Sequence, residues 1–411
     1  MNILMLSSTF PYPPSRSGTE IRTFNLLRYL QARHSITLVT QRHAGVSEED
    51  VATLRQYVDE LVIFPLREDI HVTGGLTQWL GKGKRFIQSI ANGIPPNVLH
   101  RYSPDIQAWV DDRVKAGKFD AIACEHSVNT IYIRPSFPST VRTVVNVHSS
   151  VYGGTLKDLQ TGASKNVLRD RLYLSLLYRY EQNYCSKFSS IVATTEDDRQ
   201  QLLELSPRAH LCVIPNGVDL ELFPYRSIDP GCHRLIFVGA MDSSHNIDAA
   251  CFFASEVLPA LQQRYPDATF SIVGTCPSPA VLALGEMKGV IVTGQVPSVV
   301  KQLHAATVCV VPLRTGFGIK NKTLEAMAAG VPVVGSDRGL EGLAVDGAGV
   351  PLRALRANRI DEYVEAISRL FEDARLREQL SQNARSLIEE EFTWERAGAL
   401  YEQVLLGTFC Y

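Results

Sequence analysis

The chain has 411 residues, 45% hydrophobic, 20% charged and 8% aromatic, enough apolar material for a sizeable core and, at about 150 residues per domain, for two or three domains. Its 41 Lys and Arg against 43 Asp and Glu leave a net charge of -2, which lacks the basic excess of a general nucleic-acid binder. Collagen-like, disordered and disulfide-scaffold compositions are excluded as well. The eight cysteines are scattered without a Cys-x-x-Cys, and several sit in apolar runs such as Thr307–Val311. They read as reduced thiols filling a core rather than zinc ligands or disulfides.

Asn2–Ser7 is apolar but short, has no basic flank and breaks at Phe10-Pro-Tyr-Pro-Pro14, so it reads as a first strand and not as a signal peptide. No run of about 18 apolar residues occurs, which predicts a chain without a membrane-spanning helix and a cytoplasmic location. The strand candidates that follow in the first half are Ile3–Ser7, Ile36–Thr40, Leu61–Pro65, Ala121–Cys124, Thr143–Val147 and Ser190–Thr194. Those of the second half are Leu211–Ile214, Leu235–Val238, Thr269–Val273, Val290–Thr293, Val308–Val311 and Pro332–Val334. Continuous apolar runs suit strands covered on both faces, as in parallel sheets. Between them, Ile21, Phe24, Leu27 and Leu30 form one helical stripe and Val364, Ile367, Leu370 and Phe371 another. Strands alternating with helices predict a doubly wound α/β architecture.

Two such halves follow one another. Residues 1–206 form the first, closing with the helical run Val167–Asn183 and the strand near Ile191; residues 207–392 form the second, entered through Leu205-Ser-Pro-Arg-Ala209. Its first strand is expected to end at the turn Pro215-Asn-Gly-Val218, and a last helix, about 393–411, to pack back on the first domain. Ligands of open α/β sheets bind beyond the carboxyl ends of the strands. Two facing sheets predict a cleft with one site on each wall.

The most informative segment is Arg314-Thr-Gly-Phe-Gly-Ile-Lys-Asn-Lys-Thr-Leu-Glu-Ala-Met-Ala-Ala-Gly-Val-Pro-Val-Val334. An apolar strand leads into a loop with Gly316 and Gly318, and a helix begins near Lys322. Glycines admit a ligand close to the backbone, and a helix N-terminus offers free N–H groups and positive potential. Arg314, Lys320 and Lys322 add cations, so the segment describes a diphosphate cradle. Glu325, expected in the first helical turn, is suited to accept both hydroxyls of a ribose. The alternative is a Glu that complements the helix dipole beside solvated lysines.

This segment resembles the signature of the retaining nucleotide-sugar glycosyltransferases of family four, with the GT-B fold of two Rossmann-like domains facing across a cleft. Pro215-Asn-Gly-Val-Asp219, Leu235-Ile-Phe-Val-Gly-Ala240 and Phe392-Thr-Trp-Glu-Arg396 resemble the family's second-domain turn, first full strand and crossing helix. Ser17-Gly-Thr-Glu-Ile-Arg22 and Asn25-Leu-Leu27 resemble its glycine loop and first helix. The Gly-Ile-Lys-Asn-Lys loop is most similar to the exopolysaccharide-associated subgroup. The resemblance implies transfer of a sugar from a nucleotide-diphosphate donor to an acceptor hydroxyl with retention, in polysaccharide or glycoconjugate biosynthesis. It implies a glycan, glycolipid or small-molecule acceptor and no cofactor or metal. An epimerase of the same fold, or a non-catalytic GT-B subunit, is the alternative.

By the resemblance, the donor is held by Arg314, Gly316, Gly318, Lys320, Asn321, Lys322, Leu324 and Glu325, with Gly239, Asn246, Gly294 and Val296 from neighbouring loops. The chain departs from the family in two places. The first of the family's two Glu is Phe317 here, and Met241-Asp-Ser-Ser-His-Asn246 replaces the usual Arg and Lys after Gly239. Charge from Arg314, Lys320 and Lys322, and the amide of Asn246, are expected to compensate. On the first-domain side, the expected catalytic residues are Gly18, which opens a helix at Thr19 or Glu20 and either meets donor phosphate or only makes a tight turn, and the strand-end residues Glu125, His126 and His148; whether Glu125 or His126 faces the site is open. Trp79-Leu-Gly-Lys-Gly-Lys-Arg-Phe-Ile87 is basic and apolar together, which suits either peripheral contact with anionic lipid at the inner membrane face or a solvated loop. Asp111 and Asp197 belong to Asp-Asp pairs expected on solvated helix faces.

Overall fold

The computed structural model describes residues 1–14, 17–66, 89, 91–161, 164, 166–316 and 318–409. The Trp79–Ile87 segment and Phe317 lie outside the described residues. The chain divides into two compact units: Met1–Ile214 with Gly398–Tyr411, and Pro215–Ala397. Each is a parallel sheet wound on both faces by helices.

In the first unit the strands are β1 (Asn2–Ser7), β2 (Ser35–Arg42), β3 (Glu60–Pro65), β4 (Ala121–Glu125), β5 (Arg142–Val147), β6 (Ser190–Ala193) and β7 (Leu211–Val213). They pair in parallel in the order β3-β2-β1-β4-β5-β6-β7. β1 is central, with Ile3 opposite Ile36 on one side and Ala121 on the other. Ile3, Leu4 and Met5 have no exposure at all, as a strand covered on both faces requires. The connection reverses direction between β1 and β4, so the loops after these two strands open at a switch point.

The second unit holds β8 (Arg234–Val238), β9 (Thr269–Val273), β10 (Val290–Gly294), β11 (Val308–Val311), β12 (Val333–Gly335) and β13 (Leu355–Arg356). Their order is β10-β9-β8-β11-β12-β13, with the switch point between β8 and β11. The stripe of Ile367, Leu370 and Phe371 is buried in the helix Ile360–Glu372, as its periodicity predicts.

Two corrections concern elements. The strand near Leu211, expected to open the second domain, pairs with β6 in the first sheet, Val192 opposite Cys212. Its apolar residues fit either sheet; only the hydrogen-bond ladder decides. β13 was not foreseen, because two residues carry no periodicity. The linker then turns at Pro215–Val218 against the other end of the second unit. Val218 N–H donates to the Phe392 carbonyl at 2.8 Å. A Cβ on Gly217 would lie 2.4 Å from the Trp394 nitrogen, so only glycine fits there.

The last helix, Trp394–Leu406, reaches the first unit at Gly398. A Cβ there would lie 2.2 Å from the ring of Tyr29. Beyond it, Glu402 meets His34 at 2.8 Å and Tyr401 donates its hydroxyl to Glu125 at 2.8 Å. Among the described residues no helix is long and apolar enough to cross a membrane.

Candidate active site

In the first unit, the helix Gly18–Leu30 begins at Gly18, a residue or two earlier than expected, with Ser17 as its cap. The Ser17 hydroxyl accepts from Glu20 N–H at 3.3 Å and the Glu20 carboxylate accepts from Ser17 N–H at 3.1 Å. This reciprocal capping box satisfies two terminal donors internally. One turn on, Arg22 is fully buried and donates to Asn146 Oδ1 and to the Ile214 carbonyl, both at 2.9 Å. Asn146 Nδ2 donates to Glu125 at 3.1 Å. Glu125 therefore sits at the strand end but inside a network of Arg22, Asn146 and Tyr401, where burial raises its pKa and those partners lower it. Its position reads as structural, which leaves His126 as the strand-end group.

His126 has φ 80°, an unusual conformation for a residue with a Cβ. Its ring lies 5.1 Å from that of His148, centroid to centroid. Burial holds His126 down at about 4, and Arg101 adds to the shift. Burial, with His126 and Arg22 nearby, also keeps His148 well below the ordinary range. Both imidazoles are thus neutral at pH 7, each with one donor and one acceptor nitrogen. His148 Nδ1 lies 3.5 Å from Thr19 Oγ1, and its buried Nε2 has no partner among the described residues. The loop after it is firmly held: Thr194 donates to the His148 carbonyl at 2.8 Å, and Ser150 Oγ donates to the buried Glu181 at 2.6 Å. Thr195 caps the helix Glu196–Leu205, and Asp111 is paired with Arg134. The structure therefore gathers Gly18, His126 and His148 at the carboxyl ends of β1, β4 and β5.

In the second unit, the helix Asn321–Ala328 starts at Asn321, with Lys320 as its cap and no side-chain hydrogen bond to the cap. Glu325 is its fifth residue, in the second turn rather than the first. Asn216 Nδ2 of the linker donates to Asn321 Oδ1 at 2.8 Å, a link the sequence did not reveal. Lys322 reaches back over the Phe237 ring, 4.5 Å from its centroid, and donates to Asn246 Oδ1. Asn246 Nδ2 donates to the Ala240 carbonyl at 2.9 Å. Both polar ends of that amide are engaged, so Asn246 orients Lys322 instead of reaching for phosphate itself. A Cβ on Gly239 would fall 2.9 Å from Lys322 Nζ and 2.7 Å from Asn246 Nδ2, so a side chain at the end of β8 would displace both groups from where they meet.

Burial lowers the Lys322 ammonium to about 7. The same burial raises Glu325 to about 7, against the pull of Lys322. Among the described residues the Glu325 carboxylate has no hydrogen-bond partner. His245, which the sequence reading passed over, is held at about 4 by burial and by Lys322 and Lys320. It packs against Gly316, whose added Cβ would lie 3.8 Å from the His245 Cβ.

The other expected cations are already paired. Arg314 grips Asp248 with two hydrogen bonds, 3.0 and 2.6 Å, and lies over the Phe252 ring. Lys320 is paired with Glu341 at 3.1 Å and donates to the Gly318 carbonyl. Leu324 is wholly buried in the core and its N–H returns to the Lys320 carbonyl, so its side chain cannot take part. Gly294 has φ 65° and its carbonyl accepts from Gly274 N–H at 3.1 Å; Val296 packs partly buried on the core. The site is thus a strand-loop-helix cradle at the switch point, with one cation and one carboxylate available.

Solved structures similar over the whole chain share the fold. Sucrose-phosphate synthase from Thermosynechococcus elongatus is 18% identical with a TM-score of 0.67, covering 99% of this chain and 100% of that one. HepE of Anabaena, in complex with UDP and glucose, is 16% identical with a TM-score of 0.65, covering 99% of each. A TarM variant of S. aureus, in complex with fondaparinux, α-GlcNAc-glycerol and UDP, is 13% identical with a TM-score of 0.67, covering 98% and 99%. The class so defined is the GT-B fold. No curated protein sequence matches significantly. Residues 232–373 match the glycosyl transferases group 1, and residues 16–222, half of the chain, match glycosyltransferase family 4. The chain belongs to glycosyltransferase family 4.

Proposed function

We propose that the protein transfers a sugar from a nucleotide-diphosphate donor to an acceptor hydroxyl with retention. The observation that carries this reading is the convergence of Gly239, Lys322 and a helix N-terminus without a side-chain bond from its cap residue, beside Glu325, whose carboxylate has no hydrogen-bond partner among the described residues. A diphosphate there meets one ammonium and backbone N–H groups aligned with the helix dipole. Two adjacent ribose hydroxyls can both donate to the Glu325 carboxylate. The UDP of the HepE and TarM complexes makes a UDP-sugar the first donor to test.

In the reaction, the acceptor oxygen bonds to the anomeric carbon as its bond to the diphosphate oxygen breaks. The departing phosphate oxygen takes the acceptor proton, and attack from the leaving-group face retains configuration. Lys322 and the helix amides stabilise the charge that develops on the leaving diphosphate, so this reading calls on no cofactor or metal. Neutral His126 and His148 would hydrogen-bond sugar or acceptor hydroxyls. A glycan or glycolipid acceptor in polysaccharide assembly follows from the loop's likeness to the exopolysaccharide-associated subgroup. Incubation with a panel of UDP-, GDP- and ADP-sugars and simple glycan acceptors, read by NMR of the anomeric proton, tests the reading. An α-linked product from an α-linked donor is expected. An isomerised donor without acceptor would instead indicate an epimerase, and absence of nucleotide binding a non-catalytic subunit.

A further inference from the structure

A segment far along the chain braces the glycine loop. Ser336 Oγ donates to the Leu313 carbonyl and accepts from Gly339 N–H at 3.0 Å; Thr323 Oγ1 donates to the Gly339 carbonyl at 2.7 Å. Glu341 completes the contact. One of its oxygens accepts from Lys320 Nζ at 3.1 Å and the other from Arg338 at 3.0 Å. The Lys320 and Glu341 side chains are only 9% and 10% exposed. Lys320 also donates to the Gly318 carbonyl and is the cap residue of the helix Asn321–Ala328. Glu341 thus reaches the backbone of the loop and the start of that helix through one ammonium.

The arrangement fixes what Lys320 can do. Turning its ammonium toward a phosphate would break two contacts and leave a mostly buried carboxylate with Arg338, an unfavourable exchange at this burial. Lys322 faces no such conflict, since its only hydrogen-bond partner among the described residues is a neutral amide. We propose that Glu341 is a positioning residue of the donor site, holding Lys320 as a brace that sets the glycine loop and the open helix N-terminus while Lys322 meets the diphosphate. This inference rests on the donor-site reading given above.

Titration calorimetry with UDP, GDP and ADP first identifies the nucleotide that the wild type binds. That nucleotide is then titrated into Glu341→Gln, Lys320→Met and the double variant, with donor and acceptor KM and kcat measured alongside. Glu341→Gln is expected to weaken nucleotide binding roughly tenfold, the scale of a small displacement of binding groups. Donor KM should rise with acceptor KM unchanged. Because Glu341 acts through Lys320, the double variant should lose no more than either single one, and Glu341→Asp should restore part of the loss. A Glu341→Gln protein that binds nucleotide as tightly as the wild type, or more tightly through a freed Lys320, would overturn the inference. So would a Lys320→Met loss far exceeding that of Glu341→Gln. Should Glu341→Gln not fold, the double variant and Glu341→Asp decide between the same outcomes. A wild type that binds none of the three nucleotides overturns the donor-site reading itself, and the inference with it.

Discussion

The two units present the same device, a glycine loop leading from a central strand into a helix, and finish it differently. At Gly18 the N-terminus is closed by its own side chains, Ser17 and Glu20 bonding each other's backbone. At Asn321 the cap residue Lys320 makes no side-chain hydrogen bond to the helix end, and the nearby Glu325 and Lys322 sit partly buried with their charged forms disfavoured. A capped terminus has its donors satisfied in the folded chain, so it contributes to stability. An uncapped one next to a desolvated cation is costly when empty and gains most from an anion. On the proposed function, the contrast favours the second unit as the place where the diphosphate binds.

The largest effect expected from breaking this contrast is at Lys322. Lys322→Ala should weaken nucleotide binding roughly thirty-fold, about the 2 kcal/mol of a charged hydrogen bond, in titration calorimetry. Glu325→Gln should cost less, about five- to tenfold, since an amide keeps one acceptor for the ribose. A pH series then sharpens the comparison. Binding needs Lys322 protonated and Glu325 ionised, and both lie near 7 in the empty protein. Affinity should therefore peak near neutrality, the two limbs belonging to the coupled pair, and Glu325→Gln should abolish the acid limb while the alkaline one remains.

Lys322 also makes a stability prediction with a definite sign. The unfolded chain keeps the lysine proton to about pH 10, whereas the folded one keeps it to about 7. Between these values the unfolded state binds more protons, so stability of the empty protein should rise with pH. Lys322→Met should remove that slope in urea titrations at pH 7.5 and 9. The smallest effect is at the closed terminus: Ser17→Ala should cost about 1 kcal/mol of stability and leave nucleotide affinity within twofold of wild type. A tenfold loss there would mean that the capped helix, too, holds the donor.

Much of this was legible in the chain itself. Apolar runs marked the strands within a residue or two because strands covered on both faces leave no alternation to misread. Lys322 and Glu325 stand out from the loop-to-helix pattern, and Gly239 from the resemblance of its strand end to the family's. His245 and Asn216 do not, because nothing in their local sequence signals the partners they meet. Arg314 and Lys320 looked equivalent to Lys322, since a sequence counts cations without showing which are paired. The acidic partners lie 66 and 21 residues away, at Asp248 and Glu341.

The sequence by itself determined the fold class, the two switch-point loops and the residue types able to meet a nucleotide, because these follow from periodicity and from the backbone freedom of glycine. Tertiary structure alone decided that β7 closes the first sheet, that Glu125 lies inside a network with Arg22 and Tyr401, and that one cation of three stays available. Those outcomes depend on long-range hydrogen bonds and burial, which assign a charge its partner only when distant segments meet.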